Sequence, residues 1–154
     1  MNKRFISWDE FHRDCDITAA KLLSTQKSFD CMISLSRGGV VPGRIMAESL
    51  KPKVFLTLGL KLFDGHTRGD QVVITQDIDQ YDEFDRHDNI LIVDDISDKG
   101  TTLKFAYSHI FRKTGGAHLF TACPYIKTST KFRPTYYSRE FSDDEWIVFP
   151  FERD

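Results

Sequence analysis

The stretch NILIVDD, residues 89–95, limits the possible folds more than any other part of the chain. Ile90, Leu91, Ile92 and Val93 follow one another with no polar residue between them. A strand with one face in water alternates apolar and polar side chains, so an unbroken apolar run of this kind belongs to a strand buried on both faces. The rest of the chain supplies the neighbours such a strand needs. CMISLS (31–36), VFLTLGLKLF (54–63), HLFTACPYI (118–126) and EWIVFPF (145–151) read as further strands. Between them lie helical patterns. Ser7 and Glu10 are spaced as a capping box that opens a helix presenting Phe11, Cys15, Ala19 and Leu22 or Leu23 on one face. VVPGRIMAESL (40–50) has Pro42 near its first turn, while TTLKFAYSHIFRKTGG (101–116) turns Leu103, Ala106, Tyr107 and Ile110 inward and ends in glycines. Strands and helices in alternation imply an α/β fold with a mainly parallel twisted sheet flanked by helices. A chain of 154 residues accommodates this as one domain, 1–154. Ligands of such sheets sit at the carboxyl ends of the strands, and Asp94 and Asp95 mark one of those ends.

Composition narrows function mainly by exclusion. A net charge of −2 gives no general attraction to nucleic acid or anionic lipid, so any anion site has to be local. The first residues, MNKRFISWDEFHRD, place charge within a few positions of every apolar group, unlike a secretory signal. No apolar run approaches the roughly 18 residues of a membrane span, and a cytoplasmic protein is expected. Cys15, Cys31 and Cys123 are odd in number and far apart, which fits reduced, buried thiols rather than a disulfide framework or a zinc site. Residues 64–75 turn polar and glycine-bearing, as a loop that returns through VVIT as a hairpin arm. DIDQYDEFDRHD (77–88) reads as a solvated acidic surface.

The chemistry concentrates in VDDISDKGTT. If the strand ends near Asp95 and a helix begins near Thr101, the backbone N–H groups of the intervening turn and of the first helical residues lack partners, and the helix dipole adds positive charge there. Phosphate fits such a cradle, joined by the hydroxyls of Ser97, Thr101 and Thr102 and the ammonium of Lys99. Two adjacent carboxylates would repel that phosphate unless something lay between. A sugar resolves the conflict, because its vicinal hydroxyls donate to Asp94 and Asp95 while its 5′-phosphate reaches the turn. A phospho-receiver domain also ends a strand in paired acids, but in its first strand, with far more chain to follow. A P-loop would need GxxxxGK[ST], which does not occur.

ILIVDDISDKGTTL closely resembles the phosphoribosyl-pyrophosphate loop of the type I phosphoribosyltransferases. S7-W-D9, S36-R-G-G-V-V-P-G43 and the tail Y125-I-K127 with E145-W-I-V-F-P-F-E152 resemble the short 6-oxopurine enzymes of that family, the xanthine-guanine type. The resemblance implies a small hood made by the chain ends, a lid loop at about 64–75 and a base-binding tail at about 125–152. It implies that Asp94 and Asp95 hold the ribose hydroxyls, and that Ser97, Lys99, Gly100, Thr101 and Thr102 enclose the 5′-phosphate. Asp98 becomes the general base or acid at the purine ring nitrogen. Lys99 stands where the family commonly has Thr.

Ser36, Arg37 and Gly38, with Arg68 from the lid, are implied for pyrophosphate, in a loop that often holds a cis peptide before its glycine. Lys127 is implied as donor to the purine 6-oxo group, Trp146 as the stacking surface, and the backbone of Ile147 as the contact at position 2. An ammonium only donates, so Lys127 favours a 6-keto over a 6-amino purine. Mg²⁺ is expected with the pyrophosphate, near Asp94, Asp95 and Glu152 through water. The implied partners are phosphoribosyl pyrophosphate and a purine base, in a homodimer or homotetramer. The alternative is a non-catalytic regulator of the same fold that senses phosphoribosyl pyrophosphate and binds nucleic acid; a pyrimidine or orotate enzyme fits Lys127 and Trp146 poorly.

Overall fold

A computed structural model describes residues 1–63, 65, 69–115 and 117–153, with the side chain of Asp85 left out. In chain order the elements are β1 (Asn2–Phe5), α1 (Trp8–Leu23), β2 (Cys31–Ser36), α2 (Val40–Leu50), β3 (Val54–Phe63), β4 (Gln71–Gln76), β5 (Asn89–Val93), β6 (Ile96–Ser97), α3 (Thr101–Thr114), β7 (His118–Ala122), β8 (Tyr125–Lys127), β9 (Arg139–Phe141) and β10 (Glu145–Val148). A short 3-10 turn covers Phe84–Arg86.

The central sheet has the order β4-β3-β2-β5-β7 and is parallel except for the β3–β4 hairpin. The place of β5, between β2 and β7, explains the unbroken apolar run. Leu91 and Val93 pack with α1 and α2 on one face, against Phe11, Leu22, Met32 and Met46. Ile90 and Ile92 face the other way, into a cluster with Ile33, Leu58 and the Leu103, Ala106 and Ile110 face of α3. Both faces are covered, so neither set of alternating positions tolerates a polar residue. The three thiols lie buried and free.

Local signals behave as their physics requires, with two adjustments. Ser7 Oγ accepts the Glu10 N–H at 3.1 Å and caps α1. Glu10 does not return the bond, because its carboxylate instead takes Arg4 and Arg139. The run 118–126 divides at Cys123-Pro124: β7 ends in the central sheet and β8 joins β6 and β9 in a second, three-stranded sheet. Proline has no N–H for the ladder, and the chain changes sheets there. Likewise β10 stops at Val148, before Pro150.

The hood is the two-stranded parallel sheet β1–β10, which joins the two ends of the chain. Among the described residues no helix is long and apolar enough to cross a membrane. The carboxyl ends of β2 and β5, the second sheet and the hood converge on one cleft.

Candidate active site

The strand tip is set by main-chain bonds. Asp94 N–H donates to Ala122 O at 3.2 Å, Asp95 N–H to Asp94 Oδ1 at 2.9 Å, and Ile96 N–H to Asp95 Oδ1 at 2.7 Å. Each carboxylate is thus held by the next residue's amide. Burial, and for Asp94 the neighbouring charge of Asp95, push both carboxyls above the usual carboxylate range; Glu152 adds to the effect on Asp95. Two like charges held together out of water favour a partner that donates hydrogen bonds or carries positive charge. Cys123 lies behind the pair, its thiol pushed up first by burial and then by both aspartates.

After β6 the chain turns through Asp98, Lys99 and Gly100 into α3. Gly100 has φ +85°, a left-handed conformation, and its back meets Phe132 so closely that a Cβ would lie 2.6 Å from Phe132 N. Only glycine fits both conditions. No side chain caps α3 and no acid stands in its first turn, so the N–H groups there keep their affinity for an anion. Asp98 is exposed, and it borders the cavity of about 440 Å³ formed with Asp94, Asp95, Gly100, Thr101 and Thr102. Lys99 reaches Asp70, just before β4, at 3.5 Å; with the lysine side chain 62% exposed, this pair contributes little by itself. Ser97 is buried, and its hydroxyl bonds Phe132 O and Thr130 rather than facing the turn.

The β2–α2 loop packs directly on this tip. A Cβ on Gly38 would lie 2.0 Å from Asp95 Oδ2. A cis peptide joins Ser36 to Arg37, one bond before the Arg37-Gly38 bond where the resembled loop often has one. Arg37 is exposed and lines a cavity of about 640 Å³ with Gly38, Trp146 and Glu152. Arg68 falls outside the described residues, as do positions 64, 66 and 67 of the lid; β4, from Gln71, is the returning hairpin arm expected at VVIT.

The tail completes the cleft. Lys127, 6% exposed, donates from Nζ to Ser142 O at 3.0 Å and to Glu145 O. Two of its three donors are therefore fixed, which aims the third. Trp146 is 54% exposed and borders all three cavities, including one of about 540 Å³ shared with Lys127, Asp98 and Ile147. An exposed indole there is an open surface, not a core side chain. Asn2 N–H donates to Asp144 O and Ile6 N–H to Val148 O. Successive residues of a strand point their polar groups to opposite sides, so the main chain of Ile147 faces away from β1 and toward Lys127. Glu152 accepts the Phe149 N–H at 3.2 Å, which holds its carboxylate near the mouth.

Sequence reasoning missed the carbonyls of Ser142 and Glu145 that fix Lys127, and the hydroxyl of Thr130. Main-chain groups carry no residue code, and Thr130 has no spacing signal. Among the described residues no group of three or more His, Cys, Asp or Glu side chains is arranged to hold a metal ion. The hard carboxylate oxygens of Asp94, Asp95 and Glu152 nonetheless suit Mg²⁺ that arrives with most of its ligands already supplied by phosphate and water.

The family model of the phosphoribosyl transferase domain matches residues 7–154. A curated relative, the xanthine-guanine phosphoribosyltransferase of Gluconobacter oxydans (strain 621H), is 27% identical over 149 residues, 96% of this chain and 83% of the relative. The crystal structure of a purine phosphoribosyltransferase from Pyrococcus horikoshii Ot3 superposes with a TM-score of 0.83 at 31% identity, over 100% of this chain and 97% of that one. A hypothetical protein from Neisseria gonorrhoeae with bound ppGpp superposes at a TM-score of 0.86 over 99% of this chain and 90% of its own; at 22% identity the likeness is one of fold.

Proposed function

The chain belongs to the phosphoribosyl transferase family, and from that premise we propose that it moves the 5-phosphoribosyl group of phosphoribosyl pyrophosphate onto a 6-oxopurine, releasing pyrophosphate. The observation that carries this reading is the meeting of three features in one cleft: the paired Asp94 and Asp95, the uncapped start of α3, and Lys127 beside the open face of Trp146. Xanthine, guanine and hypoxanthine are the bases it fits; the comparisons give the regulatory alternative no support.

The ribose hydroxyls donate to Asp94 and Asp95, which offsets the cost of holding two adjacent, half-buried carboxyls together. Each such bond contributes roughly 1.5–3 kcal/mol. The 5′-phosphate takes the amides of Gly100 to Thr102, with Thr101, Thr102 and Lys99 beside it. Pyrophosphate lies against Ser36, Arg37 and Gly38, where the missing side chain lets the loop approach, with Arg68 from the lid. Asp94, Asp95 and Glu152 would hold Mg²⁺ through water, and the ion would supply charge dispersal on the leaving pyrophosphate.

The bond between the anomeric carbon and the pyrophosphate oxygen breaks with its electron pair leaving on pyrophosphate. A purine ring nitrogen forms the new bond to that carbon, and the Asp98 carboxylate takes the proton the nitrogen loses. Proton transfer of this kind contributes typically 10²- to 10⁴-fold. Lys127 donates its free N–H to the 6-oxo group, the indole of Trp146 stacks on the ring, and the main-chain N–H and C=O of Ile147 meet a 2-oxo or 2-amino group. The reading includes a homodimer or homotetramer in the cytoplasm.

The test is direct. The protein is incubated with phosphoribosyl pyrophosphate, Mg²⁺ and, separately, xanthine, guanine, hypoxanthine, adenine, uracil or orotate, and pyrophosphate release is measured. Release with the oxopurines alone is expected. Release with no base, or with adenine or a pyrimidine instead, overturns the proposal.

A further inference from the structure

We propose that Thr130 is a positioning residue for the phosphate turn and acts on it through Ser97, whose hydroxyl shapes the turn rather than touching phosphate. The inference rests on the reading above for the identity of the ligand. Ser97 borders the cavity of the turn, but its side chain is 1% exposed and its Oγ donates to Phe132 O at 2.8 Å. Both hydroxyls reach Phe132 O, Ser97 Oγ at 2.8 Å and Thr130 Oγ1 at 3.4 Å; the shorter bond takes the single hydroxyl hydrogen of Ser97 and leaves that of Thr130 for the 2.9 Å contact between Ser97 Oγ and Thr130 Oγ1. A chain of bonds runs from Thr130 through Ser97 to Phe132, each polarising the next in a site shielded from water.

The same segment also touches the turn directly. Lys131 N–H donates to Lys99 O at 3.2 Å, and Gly100 rests against Phe132 and the Thr130 hydroxyl. Thr130 is 9% exposed and lines neither cavity beside the turn. The segment 130–132 thus backs the turn on the side away from the ligand. Amide donors weaken steeply once they point off the acceptor, so a turn that loses this backing holds a phosphate less well even with every contacting group in place.

Thr130→Val keeps the side chain's shape and removes the donor; Thr130→Ala replaces it if the valine variant does not fold. Affinity for phosphoribosyl pyrophosphate with Mg²⁺ is measured by calorimetry, together with the two KM values, in these variants, Thr130→Ser, Ser97→Ala and the double variant. The expected result for Thr130→Val is an affinity about ten-fold weaker, one buried hydrogen bond's worth, with the KM for the base unchanged. Thr130→Ser should restore the affinity. Ser97→Ala should cost a similar factor, and the double variant no more than the worse single one, because both remove one chain. A silent Thr130→Val beside a damaging Ser97→Ala overturns the proposal and makes Ser97 a phosphate ligand. Equal damage to both KM values overturns it as well, in favour of general loosening. Wild-type protein that does not bind phosphoribosyl pyrophosphate removes the parent reading and this inference together; wild-type binding with unchanged variants removes the inference alone.

Discussion

Gly38→Ala probes the approach of the β2–α2 loop to the acidic strand tip. The added Cβ would lie 2.0 Å from Asp95 Oδ2 and 2.8 Å from its Cγ, against an ordinary contact of about 3.5–4.0 Å. The carboxylate is not free to step aside, because its other oxygen accepts the Ile96 N–H at 2.7 Å. Swinging it away forfeits that charge-assisted bond, about 1.5–3 kcal/mol, and lifting the loop instead carries the usual overpacking cost of about 1–3 kcal/mol. A destabilisation of about 2–3 kcal/mol is expected by urea denaturation, or roughly 4–12 °C in Tm for a domain of this size. The kcat/KM should fall about 10- to 150-fold at temperatures where the variant is folded, because a displaced Asp95 loses one bond to the ribose. The deciding measurement is the same substitution in an Asp95→Ala background, where the obstacle is gone. There its stability cost should shrink below about 0.5 kcal/mol. A cost near 2 kcal/mol that persists without the carboxylate refutes the reasoning.

Other outcomes follow from the same geometry. Asp98→Asn should lower kcat by about 10²- to 10⁴-fold while calorimetric affinity for phosphoribosyl pyrophosphate survives; unchanged turnover removes Asp98 from the proton transfer. Trp146→Ala should raise the KM for the base about 5- to 150-fold, from a stacking contribution of about 1–3 kcal/mol, and leave the KM for phosphoribosyl pyrophosphate unaffected. Asp30 accepts the N–H groups of Asn89 and Asp88 and pairs with Lys53, so its carboxyl lies below the usual range. A depressed folded-state pKa makes its stabilisation complete above the unfolded value of about 3.9 and lost as pH falls through the folded one. Asp30→Asn should therefore reduce stability at pH 7 and show a smaller loss than wild type on acidification below pH ~4; parallel acid profiles would contradict this.

What proved readable in advance has a common character. The Ser7 cap, the α3 start at Thr101 and the buried β5 strand each depend on residues within a few positions of one another. Periodicity and turn chemistry express such short-range physics directly. The geometry of the turn before α3 was readable for the same reason: its acids, its glycine and its helix start lie in one segment, 94–102. Strand β1 was not readable, since NKRF is exposed throughout and becomes a strand only by pairing with β10. The division of 118–126 was equally hidden, because the apolar pattern runs through Pro124 and only the change of neighbours ends the first strand. The bonds that Ser97 makes to Thr130 and Phe132, and Lys127 to the carbonyls of Ser142 and Glu145, join segments 15–35 positions apart and carry no local signal.

By itself the sequence determined the α/β class, the acidic tip and the uncapped helix that follows it, because each is a local preference of the chain. Tertiary structure decided which groups those residues meet. Asp14 illustrates the difference: it is buried where Tyr125 donates to it at 2.7 Å and Arg139 lies 3.2 Å away, partners more than a hundred positions along the chain. Such contacts exist only once distant segments are packed together, and their energies depend on burial that no short stretch of residues sets alone.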